Sequence, residues 1–185
     1  MKKPVLLICT LFAAVLPVIA GDLTAEDQAT IQAEILKRFT VTTKQIDVPA
    51  LEKVFDGIFI DARLIREDPG GARSTDNIML AKQGGKIVTP ENTTKSQPMV
   101  KLLSLIRKDF RISDGADAKV FEEALDAIYP ISTRRDDDEK VIRQDGKIWM
   151  FVRGNFLRNL QGFVVNTDAQ GKITGLSYDL KIAKE

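Results

Sequence analysis

The chain has no histidine and a single cysteine, Cys9, among its 185 residues. Without imidazole there is no usual general base at neutral pH and no Ser-His-Asp triad. Most zinc and copper sites lose their nitrogen ligands as well. Cys9 follows Leu6-Leu7-Ile8, whereas a lipid-attachment site places a small residue before its cysteine, so no lipid anchor is expected. Cys9 lies inside a leader-like segment, and its removal would leave no thiol for a disulfide, a thiolate metal site or a nucleophile. Neither cofactor nor metal is therefore expected, and an enzyme is disfavoured. Charge of one sign is also missing: 27 basic residues face 26 acidic ones, and losing Lys2 and Lys3 turns the net charge from +1 to −1. Nucleic acid is not an expected partner, because neutralising phosphates needs a basic field. Past the leader no apolar run approaches the roughly 20 residues of a membrane span, and none is expected in the mature chain.

The leader itself is well marked. Lys2 and Lys3 precede a mostly apolar stretch from Val5 to Val18, and Val18-Ile19-Ala20 offers a cleavage site before Gly21-Asp22. The expectation is an exported protein, periplasmic or secreted, with residues 1–20 as signal peptide. The mature chain is long enough for one or two small domains with a true core.

The strongest structural signal lies at the carboxy-terminal end. Val141 to Gln144, a turn at Asp145-Gly146 and Lys147 to Val152 read as a hairpin. Beyond it come a break at Gly154-Asn155, a strand around Phe163-Val164-Val165 and a turn at Asp168 to Gly171. In the last strand Leu176, Tyr178, Leu180 and Ile182 alternate with Ser177, Asp179 and Lys181. This predicts a four-stranded antiparallel meander with one face covered by helices.

Helical spacing supplies the cover. A first helix opens at Thr24, answered by Asp27, and carries Ile31, Ile35, Leu36 and Phe39 on one face; Thr40 to Thr43 is too β-branched to continue it. Asp47 is the expected cap of a second helix carrying Leu51, Val54, Phe55 and Ile58. Strands are predicted from Phe59 to Arg66, Asn77 to Lys82 and Lys86 to Val88, the last two joined at Gly84-Gly85. Pro90 to Ser96 is polar and without periodicity. A third helix from Ser96 carries Met99, Leu102, Leu103, Ile106 and Phe110. A fourth, capped near Asp114, carries Phe121, Leu125 and Ile128 and stops at Tyr129-Pro130.

Three stretches echo one another in order and direction. Lys37 to Phe39 matches Lys108 to Phe110, Val54 to Phe59 matches Ala124 to Tyr129, and Gln83 to Val88 matches Gln144 to Trp149. The predicted architecture is α+β, with two related helix-helix-antiparallel-sheet units in tandem at residues 21–89 and 98–185, joined by a linker at 90–97.

Candidate site residues are few. On the strand through Lys147 to Arg153 both faces are apolar, so Trp149, Phe151 and Arg153 form an aromatic pair rimmed by a cation, suited to a protein or carbohydrate-like ligand. The plainer alternative buries that face under the first unit or across a homodimer interface. Asp136-Asp137-Asp138 lacks the alternating spacing and glycine of a calcium loop and reads as a solvated connector. Asp61, Glu67 and Asp179 are the carboxylates a glycosidase-like site would draw on, but no spacing singles out a pair. The function these features favour is an exported, non-enzymatic binding or protein-interaction module using a sheet face, with its partner unspecified. The alternatives are a small envelope hydrolase working with carboxylates only, or a structural oligomer subunit.

Overall fold

The computed structural model describes residues 23–35, 40–67, 73–130, 138–155 and 161–182. The proposed leader lies outside these residues, as do Leu36, Phe39 and most of the Ser132 to Glu139 run. Helix α1 (Ala25–Thr30) starts as its sequence predicts: Thr24 Oγ1 accepts from the Asp27 N–H at 3.2 Å while the Asp27 carboxylate accepts from the Thr24 N–H at 2.8 Å. A π-helical turn, Ile31–Ile35, prolongs it.

Thr40 to Thr43 does more than end a helix. It opens β1 (Thr40–Ile46), an unpredicted strand that pairs with β2 (Ile58–Glu67). Between them lies α2 (Pro49–Val54), whose N-cap is Val48 rather than Asp47, without a side-chain cap. Pro49 fits there because its absent N–H would have no helical partner anyway. The helix is shorter than predicted, so Phe55 and Ile58 lie beyond it. β3 (Arg73–Gln83) and β4 (Lys86–Val88) complete a four-stranded antiparallel sheet ordered β1-β2-β3-β4. Its tight turn sits at Gly84-Gly85, both at positive φ, as expected.

The second sheet is five-stranded, in the order β5-β9-β8-β7-β6. β6 (Asp138–Asp145), β7 (Ile148–Asn155), β8 (Gln161–Thr167) and β9 (Ile173–Asp179) make the predicted antiparallel meander. Two details differ. The β6–β7 turn falls on Gly146-Lys147, one residue later than predicted, because Asp145 still pairs with Ile148. The extra strand β5 (Gln97–Pro98) pairs with Tyr178 and Ser177, where the third helix was expected to open. That helix, α3, covers only Val100–Leu105. The fourth, α4 (Gly115–Ile128), starts where predicted: Asp114 Oδ1 accepts from the N–H groups of Ala116 and Asp117 at 2.8 and 3.0 Å.

Alternation along β2 sorts the first sheet into two faces. Ile60, Ala62 and Leu64 join Leu80 and pack with Ile31 of the amino-terminal helical turn. Phe59 and Ala81 point the other way, into a larger cluster that also takes in α2, α3, α4 and the inner face of the second sheet. A chain of rings crosses this core. Phe59 meets Phe55 at 5.0 Å between centroids, Phe55 meets Phe121 at 6.4 Å, and Phe121 meets Phe151 at 5.4 Å. The backbone reinforces it: Asp56 N–H donates to Leu105 O at 2.8 Å and Arg107 N–H to Val54 O at 2.9 Å. Mixed helix and antiparallel sheet thus share one buried cluster, an α+β arrangement. Of the three echoed stretches, the two Gly-Lys-Ile segments both fall at β-hairpins, but the turn lies at Gly84-Gly85 in the first and one residue further along the match, at Gly146-Lys147, in the second. Val54 to Phe59 instead spans the end of α2 and the start of β2, whereas Ala124 to Ile128 is wholly helical.

Candidate functional site

The pleat of β7 decides the fate of the three candidate residues. Trp149, Phe151 and Arg153 share the face covered by α4, while Ile148, Met150 and Val152 point the opposite way. Trp149 is 5% exposed and Phe151 0%, so both side chains lie in the core beneath the helix. A strand whose two faces are both apolar gives no sign of which one the helix will choose. Here the aromatic face, with the larger area to remove from water, lies beneath the helix.

Arg153 is buried too, at 2% exposure, and its guanidinium is held on several sides. Nη1 donates to Tyr129 O at 2.9 Å, Nη2 lies 2.5 Å from Asp126 Oδ1, and the carbon of the group stands 5.2 Å from the Phe163 ring centroid. The Asp126 contact is a charge pairing without hydrogen-bond alignment, and Nε has no hydrogen-bond partner among the described residues. Burial works against the guanidinium's charge, while Asp126 and Glu122 favour it. Asp126 also pairs with Lys140 of β6. One helical turn earlier, burial and then the neighbouring Asp126 charge push the Glu122 carboxyl above its ordinary range; its Oε1 is buried without a hydrogen-bond partner among the described residues.

Arg153 forms part of the wall of a cavity of about 1070 Å³. Gln161, Phe163 and Tyr178 of the second sheet line it beside Arg153. The end of α4 contributes Ile128 and Tyr129. Across the opening stands the first sheet, with Lys44, Asp61 and Met79 in one cross-strand row and Ile46 in the next. The remaining wall is Thr89 to Thr94, the segment predicted as a linker. It is held in place at Glu91, whose carbonyl accepts from the Tyr129 hydroxyl at 2.5 Å. The Glu91 carboxylate accepts from the N–H groups of Lys101 and Leu102 at 2.6 and 3.1 Å, satisfying donors at the start of α3. Burial raises the Tyr129 and Tyr178 hydroxyl pKa values, so both phenols stay protonated and able to donate.

The lining mixes aromatic and aliphatic side chains with at least as many polar and charged ones, a more polar wall than the mainly apolar one of most small-molecule sites. Of the three candidate residues the structure brings only Arg153 to this cavity. Asp61 lines it, whereas Asp179 lies outside it and accepts from Ser96 Oγ at 3.0 Å. Lys44, Met79, Tyr129 and Glu91 were not singled out by the sequence. They come from β1, β3, the segment before β5 and the end of α4, and only tertiary packing brings them to one cavity. Among the described residues no group of three or more acidic, histidine or cysteine side chains is placed to hold a metal ion. No helix among them is long and apolar enough to cross a membrane. Comparison with protein-family models, with curated proteins and with solved structures gives no match for this chain.

Proposed function

We propose that this chain is an exported, non-enzymatic binding module that holds its ligand between the two sheets. The observation that carries the reading is the cavity of about 1070 Å³, walled by both sheets and the end of α4. Its volume stands at the upper end of the few hundred to ~1,000 Å³ typical of ligand sites. The acidic groups support binding over hydrolysis. Glu91 is spent on the start of α3, and Asp126 is tied to Arg153 and Lys140. Export rests on the charged, apolar and small-residue pattern of residues 1–20. The two-unit reading belongs here as well and is supported by the recurrence of Gly-Lys-Ile at one β-hairpin in each proposed unit, β3–β4 and β6–β7.

The test is methyl NMR of the purified chain during addition of fractionated envelope extract and growth medium. Shifts are expected at Ile46, Met79 and Ile128, and those at Ile46 and Ile128 are expected to weaken in Met79→Trp, which adds bulk to the cavity wall. Shifts confined to other surfaces, or turnover of general esterase, glycosidase or peptidase substrates, would overturn the reading.

A further inference from the structure

The two sheets present four edges, and three of them carry the usual protections against pairing with another chain. β4 has only three residues. β5 has two, and Pro98 lacks an N–H. β6, Asp138–Asp145, is dominated by Asp138, Glu139, Lys140, Arg143 and Asp145. Short length, proline and charge are the devices that keep an edge from recruiting a strand. The fourth edge, β1, has only one such protection, Lys44. It runs seven residues as Thr-Val-Thr-Thr-Lys-Gln-Ile, β-branched at five positions and charged only at Lys44. Its ladder pairs with β2 alone, and among the described residues no other backbone hydrogen bond reaches Thr40–Ile46. The same edge leads into the cavity, which is lined by the consecutive residues Lys44 to Val48. Lining by Lys44 to Ile46 places the carboxy-terminal end of β1 at the cavity.

We propose that β1 accepts an extended peptide segment of a partner protein as an added strand, with one apolar side chain of that segment entering the cavity beside Ile46, the apolar residue that β1 itself contributes to the lining. Main-chain hydrogen bonds to the free rim of β1 supply affinity, and the seated side chain supplies selectivity. A largely uncharged segment fits best, since the rim offers one cation and the Arg153 charge is already met by Asp126. This inference rests on the binding reading above and narrows it to one class of partner.

The experiment is selection of random linear peptides on the immobilised full-length chain, followed by amide hydrogen exchange and by N-methylation of every second peptide residue. Selected peptides are expected to protect alternate amides of Thr40–Ile46 and to shift the cavity methyls. N-methylation on the paired side is expected to weaken binding about tenfold or more, whereas N-methylation on the opposite side changes little. Protection at β6 or β4 instead, equal tolerance of both N-methyl series, or failure to select any peptide would overturn the inference. So would protection of β1 by a second copy of the chain, seen as self-association at rising concentration. If cavity methyls still respond to extract while no peptide binds, the peptide inference alone falls. If neither occurs, the binding reading falls with it.

Discussion

Arg153 Nη2 lies 2.5 Å from Asp126 Oδ1, and the same carboxylate also pairs with Lys140, so one residue of α4 is clamped to two neighbouring strands of the second sheet. Removing the buried partner should be costly, because Asp126 and Glu122 would then face each other with only the less buried Lys140 and Lys119 to compensate. We expect Arg153→Leu to lower stability by about 3 kcal/mol in denaturant unfolding at neutral pH. Asp126→Asn should cost less, since Asp126 is 25% exposed at its side chain and Arg153 keeps Tyr129 O and the Phe163 ring. The double variant should fall well short of the sum of the two losses, as expected for contacting residues. A loss for Arg153→Leu within about 0.5 kcal/mol, the range of exposed pairs, would show that the clamp does not hold the helix.

Glu122 gives a pH signature of opposite sign to that of an ordinary salt-bridged acid. Burial and the Asp126 charge raise its folded-state pKa above 4.5, so between these two values the folded chain holds a proton that the unfolded chain has released. This group's contribution is fully present below the unfolded value and is lost as pH rises through the folded one. Glu122→Gln, which cannot ionise, should therefore be more stable than wild type at pH 7, with the gap closing towards pH 4. Unfolding midpoints measured across that range would check it. A constant offset at every pH would assign the effect to packing instead.

The legible parts of the fold were those where local chemistry and burial agree. The Asp114 cap, the Phe121, Leu125 and Ile128 stripe and the Leu176 and Tyr178 alternation all read correctly, because each residue's local preference matched its final environment. β1 was missed because Thr42 and Lys44 share one face with Ile46 while Thr43 and Gln45 share the other with Val41, leaving almost no contrast between faces. α3 was overextended because Ile106 and Phe110 keep helical spacing, yet Phe55 pairs with Ile106 in an isolated bridge that takes the chain out of the helix. The site was less legible still. Arg153 was found from its aromatic neighbours, but the wall opposite is built from the first sheet and from Thr89 to Thr94, and only tertiary packing brings these together.

Trp149 separates a core role from a binding role most directly. It is 5% exposed, sits in the main cluster and stands between Gln144 and Val165 in the ladder, on the face beneath α4. Truncation would remove a large apolar area and leave a void that a strand held in a five-stranded sheet cannot close by moving. We expect Trp149→Ala to cost about 3 to 5 kcal/mol, read by far-UV circular dichroism because the variant removes the only tryptophan. Trp149→Phe, which keeps a ring in the same place, should recover much of that loss. The wild-type tryptophan should fluoresce at short wavelength and shift to the red in a single step coincident with the loss of circular dichroism. A Trp149→Ala chain with unchanged melting and impaired capture of ligand would instead return this face of β7 to the surface.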